Sequence, residues 1–257
     1  MNRNLLLISN SKSRRGGFLD HAATAITEVL EEAGAKTVMF IPFARPGGKT
    51  WEEYTTLVRE RFNRMGFDLR GIHEYDNPLA AFRDAQAFFV GGGNTWKLLH
   101  DLEEESLLSA LKGASQWVPY IGSSAGANIA GRNIKMTNDK PAAEVLSLEG
   151  LGLVPFVINP HYLDPIQLTP GERDAVLHAA PQLQTLLDYR GETREEQVRE
   201  FHALGNMEMV VALREGSMLR VVDNSAKLLG YGGARIFAPG KDPTEHKAGE
   251  TLDFLLK

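Results

Sequence analysis

Val118-Pro119-Tyr120-Ile121-Gly122-Ser123-Ser124-Ala125-Gly126-Ala127 joins a short apolar run to a stretch of small residues through a glycine-flanked bend. Residues 118–121 read as a buried strand, and the small residues after the bend read as a helix start. The pattern Gly-x-Ser-x-Gly is that of a nucleophile elbow, which lifts one side chain above the sheet edge. Its glycines allow the close backbone approach that so sharp a bend needs. Ser124 at its centre would stand at a helix N-terminus, where backbone N–H groups can stabilise an oxyanion. The plainer alternative is a strand-to-helix loop of small residues.

Working outward, the same alternation repeats. Residues 5–8 form an apolar run closed by Ser9-Asn10-Ser11, a turn signal. Ala22, Ala25, Ile26, Val29, Leu30 and Ala33 recur at helical spacing, which predicts a helix over 18–33 closed by Gly34. A strand follows at 38–41. Trp51, Tyr54, Leu57, Val58, Phe62 and Met65 make the apolar stripe of a second helix, stopped at Gly66. A weak strand over 67–75 and a strong one over 85–90 come next. The latter runs into Gly91-Gly92-Gly93-Asn94-Thr95 and a helix over 96–111. Strands alternating with helices predict an α/β fold, a mostly parallel sheet with helices on both faces.

The C-terminal half reads differently. A strand is expected at 153–158. Runs at 208–213, 218–222 and 226–229, with turn signals between them, predict antiparallel additions at the sheet edge. Residues 163–189 read as one or two short helices, entered at Thr169-Pro170-Gly171-Glu172 with proline in the first turn. A charged helix is expected over 194–202, and a short strand near 251–256. With no linker or repeat, the 257 residues are expected to form a single domain, 1–257, with a possible inserted lid or interface segment at 163–188.

Composition narrows the chemistry. Apolar residues make up 43% and charged residues 24%, as in an ordinary globular protein, and the net charge of −5 gives no basic excess for nucleic acid. Cysteine is absent, which removes disulfides, thiolate metal sites and a cysteine nucleophile. No apolar run is long enough to span a membrane, and residues 5–8 are too short for a signal-peptide core; a cytoplasmic protein is the expectation.

Both glycine-rich turns, 91–95 and 122–126, follow strands, so they are expected to face each other across the carboxyl edge of the sheet. A phosphate cradle is the rival reading, but neither Gly-Lys-Ser/Thr nor Gly-x-Gly-x-x-Gly with a downstream acid is present. A serine nucleophile needs a base. Of the seven histidines, His161 in Ile158-Asn159-Pro160-His161-Tyr162 directly follows an apolar run, with proline ending the strand, and so projects from the same edge. The base needs an acid to hold its tautomer. Asp139, Asp164 and Glu215 are all candidates, and spacing does not choose among them.

Taken together, these stretches resemble peptidase E, the α-aspartyl dipeptidase family of serine peptidases, which is related to cyanophycinases. The resemblance spans roughly residues 4–235 and rests on residues 7–11, 40–44, 91–95, 122–128, 137–139, 158–161 and 191–195. It implies a fold like class I glutamine amidotransferases with serine in place of cysteine. It implies Ser124 as nucleophile, His161 as base, and Glu215 as the direct acid, with Asp139 retained as a second charge-relay position. It implies oxyanion donors at the N–H groups of Gly93 and Ala125, and substrate contacts from Asn94, Thr193 and Arg194. The guanidinium of Arg194 would bind the aspartyl carboxylate. The implied activity is hydrolysis of Asp-Xaa dipeptides through an acyl-enzyme, with no metal or other cofactor, in a cytoplasmic homodimer without nucleic-acid or membrane partners. A cyanophycinase-like hydrolase of acidic peptides, or a non-catalytic amidotransferase-like binding module, are the other readings. The chain departs from the family at Ser123, where many members carry a bulky aromatic, and in the length of the segment at 163–188.

Overall fold

The computed structural model describes residues 3–12, 16–45, 47–165, 168–188 and 192–257. Met1, Asn2 and Gly191, and parts of the 163–189 segment, lie outside the described residues.

Eleven strands are found among the described residues: β1 (Asn4–Ile8), β2 (Thr37–Ile41), β3 (Asp68–Gly71), β4 (Phe88–Val90), β5 (Tyr120–Ser123), β6 (Val157–Tyr162), β7 (Val210–Arg214), β8 (Ser217–Val222), β9 (Ser225–Gly230), β10 (Ala234–Phe237) and β11 (Thr244–His246). The α-helices are α1 (Ala23–Glu32), α2 (Trp51–Arg64), α3 (Pro78–Ala81), α4 (Thr95–Glu104), α5 (Leu108–Ala114), α6 (Ala125–Ile129), α7 (Pro170–Ala179), α8 (Gln184–Leu187) and α9 (Arg194–Ala203).

Seven strands form one sheet in the order β3-β2-β4-β5-β1-β8-β9. Pairings from β3 through β1 are parallel, and β8 and β9 are added antiparallel. Side-chain alternation splits the central strands between two cores. Leu5 and Leu7 of β1, with Phe88 and Val90 of β4, pack with Leu98, Leu99 and Leu102 of α4 and Leu111 of α5. Leu6, Ile8 and Phe89 face the other way, toward Ile26, Val29 and Leu30 of α1 and Tyr54, Val58 and Phe62 of α2. Near-continuous apolar runs in these strands follow from burial on both faces.

A second sheet, β11-β10-β7-β6, takes up part of the antiparallel additions expected at the sheet edge as a meander or hairpins. β8 and β9 do make an edge hairpin, but β7 pairs with β6 in parallel and with β10 antiparallel. The reason is the turn at Glu215-Gly216, which carries the chain from one sheet into the other instead of folding β8 back on β7. The expected terminal strand near 251–256 is a 3-10 turn, Asp253–Leu256, beside an isolated bridge from Thr251 to Lys227.

Three further boundaries move. The helix expected over 96–111 is broken into α4 and α5, with Ser106 at φ 57° between them. The helix expected from residue 18 begins as a 3-10 turn, Asp20–Ala22, and becomes α-helical at Ala23. The strand expected over 153–158 is β6, which runs on through Pro160 to Tyr162. Proline is tolerated there because the pairing with β7 is irregular between Asn159 and Tyr162, so no ladder bond is demanded of it. In the 163–188 segment, Thr169 caps α7 in a reciprocal box with Glu172, as the sequence suggests. No residue of α7 is buried. Among the described residues, no helix is long and apolar enough to cross a membrane.

Candidate active site

The site lies in the seam between the two sheets. β5 ends at Ser123, and Ser124 adopts φ 54° and ψ −110° before α6 begins. That conformation is costly for a serine and persists only where its surroundings impose it. Here the Ser124 N–H donates to the Ile8 carbonyl at 2.9 Å, fixing the bend to the end of β1. Gly126 must be glycine, since an added Cβ would stand 2.2 Å from the Val90 carbonyl oxygen. The buried Tyr120 hydroxyl donates to the Gly126 carbonyl at 2.6 Å. Burial pushes that phenol well above its ordinary pKa, so it stays a donor.

The glycine turn after β4 is held in the same manner. The Tyr54 hydroxyl donates to the Gly92 carbonyl at 3.2 Å. At Gly93, φ is 151° and an added Cβ would fall 1.9 Å from the Ala44 carbonyl oxygen. An added Cβ at Gly92 would come 2.8 Å from Ser124 Cβ, so the two glycine-rich turns do meet. The N–H groups of Gly93 and Ala125 donate to no group among the described residues.

His161 stands on β6 at the irregular step, with φ 53°. Ser124 Oγ is 2.8 Å from His161 Nε2, and His161 Nδ1 is 2.9 Å from Glu215 Oε1. The His161 and Glu215 side chains are 39% and 55% exposed, so the chain of three groups opens to solvent. A carboxylate on Nδ1 holds the proton there and leaves Nε2 free to accept from the serine. Chemically, this arrangement can deprotonate Ser124 as it attacks a carbonyl and steady the resulting imidazolium.

The other acid candidates are committed elsewhere. Asp164 makes a two-pronged ion pair with Arg214, at 2.6 Å for each contact, so it is not the partner of His161. Asp139 accepts from the Thr95 N–H and hydroxyl and from the Thr137 hydroxyl. It therefore anchors the start of α4, and the carboxylate that hydrogen-bonds His161 is Glu215.

Asn94 and Thr193, expected at the substrate, are helix N-caps. Asn94 Oδ1 accepts from Lys97 N–H at 3.0 Å, and its Nδ2 donates to the Lys140 carbonyl. Thr193 Oγ1 accepts from Glu196 N–H at 3.2 Å within a capping box. Arg194 opens α9, half-buried, and its guanidinium donates to Asn138 Oδ1. Burial draws the Arg194 pKa below its ordinary value, and nearby Asp139 opposes that. No described carboxylate forms an ion pair with it, in contrast to Arg199 on the same helix, which pairs with Glu195. Ser123 is fully buried.

Several residues that build the site were not singled out in the sequence. Asn138 Nδ2 donates to the Pro160 carbonyl at 2.6 Å, linking the Arg194 side to the base. Asn159 Nδ2 donates to the Met136 carbonyl and to Asn138 Oδ1. Ser9 and Asn10 read as turn residues, yet both are buried at the end of the central strand. A polar pair at that position, where α/β sheets bind ligands, was the available signal.

Comparison with known proteins identifies the family. Residues 5–229 match the model of peptidase family S51. A "Probable alpha-aspartyl dipeptidase" of Drosophila melanogaster is 40% identical over 257 residues, covering 99% of this chain and 98% of the relative. A "Peptidase E" of Streptomyces coelicolor is 43% identical over 254 residues, covering 98% and 95%. Among solved structures, a peptidase from an acI-B1 Actinobacterium shares the fold with a TM-score of 0.68 at 17% identity, covering 98% of this chain and 97% of that one. On the family match and the full-length relatives, the chain belongs to peptidase family S51.

Proposed function

We propose that this chain is a serine dipeptidase that hydrolyses dipeptides with an N-terminal aspartate. The observation that carries the mechanism is the continuous run Ser124 Oγ, His161 Nε2, His161 Nδ1, Glu215 Oε1, with steps of 2.8 and 2.9 Å, beside two unengaged amide donors. The relatives named for aspartyl dipeptidase and peptidase E activity support the substrate class.

In this reading Ser124 Oγ attacks the peptide carbonyl while His161 Nε2 takes its proton. The negative charge on the carbonyl oxygen falls to the Gly93 and Ala125 N–H groups, which need no reorganisation to receive it. His161 then delivers the proton to the leaving amine. Water, activated by the same imidazole, releases aspartate from Ser124. Glu215 stabilises the imidazolium in both halves. Arg194 supplies a half-buried cation for the aspartyl side chain, where a guanidinium can bind a carboxylate in two-pronged fashion. A cytoplasmic homodimer belongs to the same proposal and rests on the family resemblance.

The test is a dipeptide panel varying the first residue, run beside a β-aspartyl-arginine polymer and a fluorophosphonate probe. Cleavage confined to Asp-Xaa, with labelling at Ser124, is the expected result. Preference for the polymer would overturn the substrate class, and a folded protein that takes no label would overturn the catalytic reading.

A further inference from the structure

Three consecutive residues at the end of β1 each hold a different part of the candidate triad. The Ile8 carbonyl accepts from Ser124 N–H at 2.9 Å. Ser9 Oγ accepts from His161 N–H at 2.9 Å and donates to the Leu213 carbonyl at 2.9 Å. Asn10 Oδ1 accepts from Gly216 N–H at 2.7 Å, one residue beyond Glu215. Ser9 and Asn10 are 0% and 1% exposed, so water does not compete for these bonds.

We infer that Ser9 and Asn10 are positioning residues, a two-residue template that aligns His161 and Glu215 on Ser124 across the seam between the sheets. The inference rests on the catalytic reading above and concerns how that site is held. The logic begins with His161. Its step on β6 is irregular, so its N–H loses its place in the ladder, and its φ of 53° is one a histidine leaves unless held. Ser9 supplies the missing acceptor. A hydroxyl has one proton to donate, and the Leu213 carbonyl takes it, which turns a lone pair toward His161. One oxygen thus ties β6 and β7 of the second sheet to β1 of the first. Asn10 does the same for the turn that carries Glu215, while its Nδ2 is anchored on the Lys12 carbonyl.

The other four groups on these bonds are backbone, so the alignment of side chains from three distant segments depends on two buried side chains. Removing the Ser9 hydroxyl leaves the His161 N–H and the buried Leu213 carbonyl without that partner. The cheapest relaxation is movement of residue 161, which draws Nε2 away from Ser124 and Nδ1 away from Glu215.

The experiment compares Ser9→Ala, Ser9→Thr and Ser124→Ala with wild type on Asp-Leu, with active sites counted by fluorophosphonate titration. Ser9→Ala is expected to lower kcat per titrated site by about 10- to 100-fold, the scale of a misplacement near 1 Å, with KM nearly unchanged. Ser9→Thr, which keeps the hydroxyl, should recover most of the rate. Ser9→Cys retains the shape but offers only a weak acceptor, and gives the same comparison if the alanine variant does not fold. A kcat per site equal to wild type in the folded variant, with only Tm lowered, would overturn the positioning role. Activity surviving in Ser124→Ala would instead overturn the catalytic reading beneath it.

Discussion

Asp139 Oδ2 lies 2.8 Å from both the amide nitrogen and the hydroxyl oxygen of Thr95. One carboxylate oxygen thereby holds the first residue of α4, directly after the glycine turn that carries Gly93. Asp139 therefore acts on the wall of the site, whereas Glu215 acts on His161. The two acids should fail in different ways when removed. Asp139→Ala leaves the buried Thr95 N–H without its acceptor and should cost about 1–3 kcal/mol of stability, seen as a lower Tm. It should also raise KM, while the acid limb of the pH profile stays in place. Glu215→Gln should leave Tm nearly unchanged and lower kcat by about 100-fold or more. Steady-state kinetics over a pH range, with thermal melts of both variants, separates them.

Arg194 is tethered to Asn138 and lacks a carboxylate partner among the described residues, so its charge is available to a ligand. Arg194→Ala should lower kcat/KM for Asp-Leu by about 10- to 100-fold, matching the 1.5–3 kcal/mol of a charge-assisted hydrogen bond. Hydrolysis of Ala-Leu should not fall with it. Arg194→Lys should restore little, because an ammonium lacks the planar fork. The ratio of the two substrates' kcat/KM is the measurement.

His73 predicts a pH dependence of stability unrelated to catalysis. Both its ring nitrogens are buried without a hydrogen-bond partner among the described residues. Burial pulls its pKa below 6.5; the Glu52 carboxylate at 3.8 Å and Glu74 oppose the shift, and Arg59 reinforces it. The unfolded chain therefore binds a proton at a higher pH than the native chain does. Stability contributed by neutral His73 is present above about pH 6.5 and is lost as pH falls toward the native value. His21, also lowered by burial, adds in the same sense. Tm should drop less for His73→Phe than for wild type between about pH 7 and about pH 5.5. Equal drops in differential scanning would contradict this.

Gly126→Ala tests the packing of the elbow itself. The added carbon would meet the Val90 carbonyl oxygen at 2.2 Å, a backbone atom that cannot swing aside. Either β4 or α6 must shift, at a cost of about 1–3 kcal/mol or more. Ser124 moves with α6, so Tm and fluorophosphonate labelling rate should fall together.

The parallel half of the fold was legible because each strand is buried on both faces and reads as an apolar run, as in 5–8 and 38–41. The second sheet was not. Val210–Arg214 and Ser217–Val222 look like a hairpin locally, and only the packing of β7 on β6 and β10 assigns them to different sheets. Pro160 misled for a related reason: proline normally closes a strand, but a disrupted ladder has no bond for it to break. At the site, Ser124 and His161 stood out through the bend and the strand end beside them. Glu215 did not, since an acid in a Glu-Gly turn resembles any solvated turn, and the family resemblance supplied the choice. Ser9 and Asn10 were hidden because polar residues after an apolar run signal a turn, whereas these two are buried by sheets distant in sequence.

The most direct test of the whole account is the hydrolysis of Asp-Leu by purified Ser124→Ala, measured beside wild type with both proteins shown to be folded. A fall in kcat of about 1000-fold or more is expected when the nucleophile is lost. Turnover at the wild-type rate would contradict the assignment of Ser124 and, with it, the roles given to His161 and Glu215.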